Sequence, residues 1–264
     1  MYEGDNLVRT IVNIYRDGVK VNLTGEGVVN GSIYDNSPIK PADGIYFGLK
    51  SWAPQIAVRV AEEFPNPDAV RIATVGDSIT YGHAWHDQSY PSYLATELGG
   101  DYSVGNFGLN GASVTGYGGS GLKYAEQSEL DNSIAFDPNV IVIMLGANDA
   151  NGWANAAASY ESELRALIAA YRSACPDAEI LLVTSAPTLD GNGFGIPNDV
   201  IKDSVNPIQR AVAGDLGLTL VDLSEQMENA DGGYAAFFRD DGVHLSEAGA
   251  QFVSDVIADT VRAL

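Results

Sequence analysis

The sequence predicts an α/β protein built on a parallel sheet, and three observations carry that prediction. From residue 70 onward, short apolar runs rich in Val and Ile alternate with longer stretches of helical periodicity, the rhythm of successive βαβ units. The first of those runs closes on Gly76-Asp77-Ser78-Ile79, a glycine-flanked turn that opens a helix. Hydrophobic residues make up 45% of a 264-residue chain, enough for a sizeable core.

The strand candidates, in order, are residues 70–75, 102–107, 140–145, 180–184 and 218–221. Helical candidates fill the gaps at residues 89–98, 159–173, 200–216 and 246–261. In the last of these, Ala248, Phe252, Val253, Val256, Ile257 and Val261 recur at helical spacing, so that stripe packs on the sheet. Ahead of this region, Val8, Ile11, Val12, Ile14 and Tyr15 precede Asp17-Gly18, a hairpin signal, and Val19, Val21 and Leu23 alternate after it. Pro65-Asn66-Pro67-Asp68 resists both helix and central strand. The chain therefore divides into a small β-rich appendage over residues 1–66 and a main domain over residues 67–264.

A net charge of −21 excludes nucleic acid as a partner, because a phosphate backbone would be repelled. The acidic residues are dispersed, which fits an ordinary acidic protein and a protein of salty surroundings equally well. No apolar run approaches the roughly 20 residues of a membrane span. Met1-Tyr2-Glu3-Gly4-Asp5 lacks the basic start and apolar centre of a secretory signal, which fits the cytoplasm, or export of a chain whose signal has been removed. The lone Cys175 precludes an intrachain disulfide, and its place before Pro176 reads as a helix end.

Ser78 stands where an α/β enzyme exposes a nucleophile, at the carboxyl end of a buried strand. Asp77 and Ser78 would also serve as plain helix caps, and the decision rests on what lies downstream. There, Asp240-Asp241-Gly242-Val243-His244 places an acid three residues before a histidine. A serine hydroxyl needs a base to attack an ester at neutral pH, and the base needs an orienting carboxylate. Ser78, His244 and Asp241 supply that set. His83 and His86, with Asp87, compete as base or as a metal site, but two imidazoles and one carboxylate are too few ligands for a closed metal site. Asp77 and Asp149 read as residues that hold their loops. Trp153, Phe194, Tyr234, Phe237 and Phe238 fall on loops near the same edge, where rings stack on a sugar, line an acyl pocket or simply pack.

Two further blocks, Asn106-Phe107-Gly108-Leu109-Asn110-Gly111 and Gly146-Ala147-Asn148-Asp149, each follow a strand candidate. Together with the Ser78 and His244 blocks, and in this order, they resemble the SGNH (GDSL-type) hydrolase family. The family's four signature residues map onto Ser78, Gly108, Asn148 and His244, with Asp241 as the acid. The resemblance runs from about residue 70 to the C-terminus and implies a three-layer α/β/α fold with a serine esterase site at the strand ends. It also implies an oxyanion hole made by the backbone N–H groups of Ser78 and Gly108 and the side-chain amide of Asn148. No cofactor or metal is called for. The expected substrate is a small-molecule or polysaccharide acyl ester, with short acyl groups on carbohydrate favoured. Longer-chain lipase, lysophospholipase or thioesterase activity is the alternative among enzymes; a non-catalytic carbohydrate-binding module is the alternative outside them. Residues 1–66 lie outside the resemblance and leave open a homo-oligomer formed through them.

Overall fold

The computed structural model describes residues 68–82 and 89–264, together with the backbone of four short strand pieces nearer the start. Those pieces are β1 (Tyr2–Glu3), β2 (Asn6–Leu7), β3 (Ile14–Arg16) and β4 (Val19–Val21). β3 and β4 pair antiparallel with Arg16 opposite Val19, so the hairpin expected at Asp17-Gly18 is present. The remainder of the expected appendage over residues 1–66 lies outside the described residues.

The main sheet consists of β5 (Val70–Gly76), β6 (Tyr102–Gly108), β9 (Val140–Met144), β10 (Glu179–Val183) and β11 (Thr219–Val221). A separate two-stranded pair, β7 (Ala112–Ser113) with β8 (Leu122–Lys123), lies between β6 and β9 in sequence. The main strands are all parallel and run in the order β11-β10-β9-β5-β6. Strand order reverses between β5 and β9, the place where an open α/β sheet leaves a crevice outside its carboxyl ends.

Side-chain alternation along these strands builds two cores. Ile141, Ile143, Ile180, Leu182 and Val75 belong to one buried cluster, while Ile72, Val142, Met144, Leu181 and Val183 belong to the other. The helices are α1 (Ser78–Tyr81), α2 (Tyr90–Leu98), α3 (Ser128–Ala135), α4 (Ala147–Asn151), α5 (Trp153–Ala156), α6 (Tyr160–Ala174), α7 (Asn198–Val200), α8 (Asn206–Leu216), α9 (Leu223–Glu228) and α10 (Glu247–Arg262). α6 covers the first cluster with Leu164, Leu167, Ile168 and Tyr171, joined by Val212 and Ala213 of α8. α2 and α10 cover the second with Leu94, Val253, Ile257 and Val261. The result is the three-layer α/β/α arrangement, with every side chain of β9 buried.

The helix expected over residues 200–216 is interrupted. A π-helical turn over Ile201–Val205 separates α7 from α8, because Pro207 has no N–H to continue the ladder. Just after that turn, fully buried Asn206 and Gln209 reach the strand ends. Ser185 N–H donates to Asn206 Oδ1 at 2.9 Å and Gln209 Oε1 at 3.0 Å, and Asn206 Nδ2 donates to Ser185 O at 3.1 Å. Gln209 Nε2 donates to Leu145 O at 2.6 Å. These two amides satisfy the backbone where β9 and β10 leave the sheet, directly behind the loops that follow those strands.

Replacing Asn206 with leucine strands the Ser185 carbonyl in the core without its donor. Urea unfolding of Asn206→Leu is expected to show a loss of about 1–3 kcal/mol, the usual cost of one buried orphan. An unchanged midpoint would show that Gln209 alone sustains this strand end.

Candidate active site

Ser78 opens α1 two residues past the end of β5. Local chemistry makes the turn: Ile79 N–H donates to Asp77 Oδ1 at 2.9 Å, and Gly82, in the left-handed region at φ 80°, ends the short helix. A Cβ on Gly76 would stand 2.7 Å from Met144 O, so glycine alone fits there. Asn106 of β6 holds the turn from the side, donating from Nδ2 to Thr80 O at 2.8 Å. The sheet register sets Gly76 level with Gly108 of β6 and Met144 of β9. Ser78, the loop after Gly108 and α4 with Asn148 therefore leave the sheet at one edge.

His244 arrives from the far end of the chain. Phe238 and Leu245 form an antiparallel bridge, Arg239 N–H donates to His244 O at 2.9 Å, and Arg239 Nε donates to Leu245 O at 2.7 Å. Ser246 then caps α10 by accepting from Gly249 N–H, so the loop is pinned at both ends. Within it, His244 Nδ1 lies 2.8 Å from Asp241 Oδ2 and Nε2 lies 2.9 Å from Ser78 Oγ. The imidazole is 5% exposed.

Asp241 Oδ1 accepts the backbone N–H groups of Val243 at 2.9 Å and His244 at 2.8 Å. Burial pushes its carboxyl upward, but those two donors and the His244 ring outweigh it and hold the group below its usual range. Ionised at neutral pH, Asp241 accepts from Nδ1–H, which leaves Nε2 as an acceptor facing the Ser78 hydroxyl. The geometry thus brings together Ser78, His244 and Asp241.

Asn148 is buried on α4, with Nδ2 donating to Ala112 O at 2.9 Å. Gly108 requires a correction. Its N–H, expected to serve an oxyanion, donates to Asn106 Oδ1 at 2.9 Å, and a Cβ there would collide with the Thr80-Tyr81 backbone. Gly108 is thus a close-packing glycine that seats the nucleophile turn. The N–H groups of Asn110 and Gly111, two and three residues on, have no hydrogen-bond partner among the described residues. The Gly-rich stretch 116–121, unassigned by the sequence reading, packs on α4: a Cβ on Gly118 would overlap Asn148 O, and one on Gly152 would overlap Tyr117 O.

Two carboxylates lie beneath the site. Asp149 is fully buried and accepts from Val114 N at 2.8 Å, Thr115 N at 2.9 Å and Thr115 Oγ1 at 2.7 Å. Asp77 is 3% exposed. Both act as loop-holding residues, as the sequence suggested. Of the five candidate aromatics, four are tied into packing. Trp153 meets Tyr160, Phe237 stacks on Phe252, Tyr234 meets Phe238, and Phe238 is buried. Phe194 is half-exposed and stands edge-to-face against His244 with centroids 5.0 Å apart. His83, His86 and Asp87 lie outside the described residues. Among the described residues no group of three His, Cys, Asp or Glu side chains is placed to hold a metal, and no helix is long and apolar enough to cross a membrane.

The Asp77 carboxyl is pushed up to about 7, first by burial and further by the nearby Asp149 charge, with the Ile79 N–H pulling it back. The unfolded chain releases that proton near 3.8, while the folded chain keeps it to about pH 7. Asp77 therefore takes stability away as pH rises through this window, on the order of 4 kcal/mol in all, and no more above it. Asp77→Asn keeps a cap acceptor and removes the titration. Its stability relative to the parent chain is expected to climb between pH 4 and about pH 7 in urea unfolding and to level off above that; parallel pH profiles would refute the assignment.

Comparison with known proteins places this geometry in a lineage. The chain is 32% identical over 220 residues to an acetylxylan esterase of Xylanibacter ruminicola, an alignment covering 75% of this chain and 44% of that protein. This chain thus corresponds to less than half of that relative's length. Among solved structures, the lipase/acylhydrolase from Enterococcus faecalis aligns at TM-score 0.61 and 21% identity, covering 74% of this chain and 96% of that one. A putative arylesterase from Agrobacterium tumefaciens aligns at TM-score 0.60 and 22% identity, over 74% and 99% of the two chains. These structures share the fold. The pattern of the GDSL-like lipase/acylhydrolase family matches residues 74–252, a span that holds Ser78, Asn148, Asp241 and His244, and the chain belongs to that family.

Proposed function

We propose that this acylhydrolase-family chain is a serine esterase that removes short acyl groups, acetyl above all, from carbohydrate esters. The observation that carries the reading is the continuous relay from Asp241 through His244 to Ser78, at 2.8 Å and 2.9 Å. Ser78 Oγ attacks the acyl carbonyl carbon while its proton passes to His244 Nε2. The imidazolium is stabilised by Asp241 and delivers the proton to the departing alcohol, leaving an acyl group on Ser78. Water then attacks the acyl-enzyme with His244 again as base, which releases the acid and restores the hydroxyl.

The tetrahedral intermediates carry a negative oxygen. Ser78 N–H has no hydrogen-bond partner among the described residues, and the Asn148 amide has one N–H committed to Ala112 O and a second to offer. With the Gly108 N–H engaged by Asn106, the third donor in this scheme comes from the loop just beyond, at Asn110 or Gly111. The complete relay argues against a non-catalytic carbohydrate-binding module.

Two observations favour short acyl groups. Beside Ser78 and His244 lies a pocket of about 10 Å³ lined by Ile79, Ser89, Tyr90, Arg239, Leu245 and Ala250, room for little more than a methyl group. The loop over residues 187–197 is rich in Gly and Asn and forms no apolar lid helix. The acetylxylan esterase relative supports a sugar ester.

Ser78→Ala is expected to abolish hydrolysis of 4-nitrophenyl acetate with the circular dichroism spectrum unchanged, and His244→Ala to do the same. Substantial residual kcat in pure Ser78→Ala protein would remove the serine from its role. Asn148→Ala should lower kcat by about 10²–10³ with little change in KM, the size of one lost oxyanion donor. A change confined to KM would place the amide in ground-state binding.

Chain length tests the pocket. Each buried methylene is worth about 0.8 kcal/mol, and a pocket this small buries few of them. Thus kcat/KM should peak among acetate to butyrate esters and fall beyond hexanoate. A steady climb to decanoate would establish the longer-chain reading instead.

A further inference from the structure

We propose that Tyr117 and Phe194 form two aromatic subsites that grip the sugar rings flanking the esterified residue of an oligosaccharide, a role that rests on the carbohydrate-ester reading above. These are the two exposed aromatic side chains among the described residues, 58% and 50% exposed. The other candidate rings of this edge are spent on packing.

The loops that carry the two rings both pack against α4, the five-residue helix that carries Asn148, or its C-cap Gly152. Tyr117 sits on the Gly-rich loop, whose glycines lie so close to α4 that a Cβ on Gly118 would overlap Asn148 O and one on Gly152 would overlap Tyr117 O. Asp149 anchors the root of the same loop at Val114 and Thr115, and Tyr117 N–H donates to Thr115 Oγ1 at 3.2 Å. Phe194 sits on the other loop, where Asn151 Nδ2 donates to Phe194 O at 3.1 Å and Gly195 O at 2.9 Å. The main chains of the two ring residues are therefore tethered to neighbouring residues, Asn151 and Gly152, whose Cα atoms lie about 3.8 Å apart. On this proposal one short oligosaccharide is seated across both.

The occupant follows from chemistry and position. Phe194 meets the catalytic imidazole edge-on, so a ligand lying on it is beside Ser78. A flat, half-exposed ring offers an apolar face to the C–H face of a sugar while the sugar's hydroxyls stay wet. The chain's charge of −21 disfavours a polyanion. A neutral oligosaccharide meets each of these conditions. Its acyl group enters the small pocket beside His244 while its neighbouring rings rest on Tyr117 and Phe194.

The test compares acetylated xylo-oligosaccharides with 4-nitrophenyl acetate, which has no sugar to stack. The readout is the ratio of kcat/KM on the two substrates. In Tyr117→Ala and Phe194→Ala that ratio should fall about five- to ten-fold, through KM for the oligosaccharide. Tyr117→Phe should retain the parent ratio, and Phe194→Leu, which keeps apolar bulk without a flat face, should lose it. An unchanged ratio in both alanine variants of a chain that cleaves the oligosaccharides would overturn the subsites and leave the carbohydrate reading standing. A parent chain that cleaves 4-nitrophenyl acetate but not the oligosaccharides would instead sink the carbohydrate reading, and the subsites with it.

Discussion

The 2.9 Å hydrogen bond between Ser78 Oγ and His244 Nε2 joins residues 166 positions apart, and most of the structure is arranged to hold it. Neither partner belongs to a long element. Ser78 rides a four-residue helix whose position is set by β5, by Asn106 reaching across from β6 and by the Asp77 cap. His244 rides a loop held by the Phe238–Leu245 bridge and the Arg239 hydrogen bonds, and α10, which follows it, packs along α2 and the sheet beneath them. The buried stripe of α10 thus serves the chemistry as directly as the triad does, because a shift of α10 moves the base relative to its nucleophile. Tolerance at such a site is small: misplacement by about 1 Å costs on the order of a hundred-fold in rate.

Beneath the relay, the molecule accepts a local cost. Burial raises both Asp77 and Asp149, and the Asp149 charge raises Asp77 further. A core built for stability alone would replace them with neutral groups. Here each carboxylate takes hydrogen bonds that an apolar side chain could not, Asp77 from the nucleophile turn and Asp149 from three donors at the root of the Gly-rich loop. The cost is the familiar one of active sites, where positional precision is maintained against the preference of charge for water.

How much of this was legible in the sequence depends on range. The five strands and the helices over residues 90–98, 160–174 and 247–262 followed from periodicity, which is a local property. The grouping of Ser78, Asp241 and His244 was legible because the last two are neighbours in sequence and Ser78 ends a strand. α3 was missed because Leu130 and Ile134 are its only apolar anchors, too few to make a stripe. α9 had a signal that went unread, Asp222 followed three residues later by Glu225, whose N–H the Asp222 side chain accepts. The π-helical turn before Pro207 and the reach of Asn206 and Gln209 to Ser185 were not legible, since they join segments whose spacing only the folded sheet defines. Gly108 was misjudged for the same reason. Sequence marks a glycine, but whether its N–H faces a substrate or a neighbouring asparagine depends on packing against Thr80 and Tyr81.

The long separation between nucleophile and base has a consequence during biosynthesis. A ribosome adds about 5–20 residues per second, so the 166 positions from Ser78 to His244 take on the order of 8–33 s to make. Throughout that interval the growing chain carries Ser78 without the imidazole of His244 beside it. The relay closes only once the loop carrying His244 has emerged and α10, which follows it, has docked. On the proposed mechanism, hydrolysis therefore switches on late, once α10 has joined the layer that covers the second core.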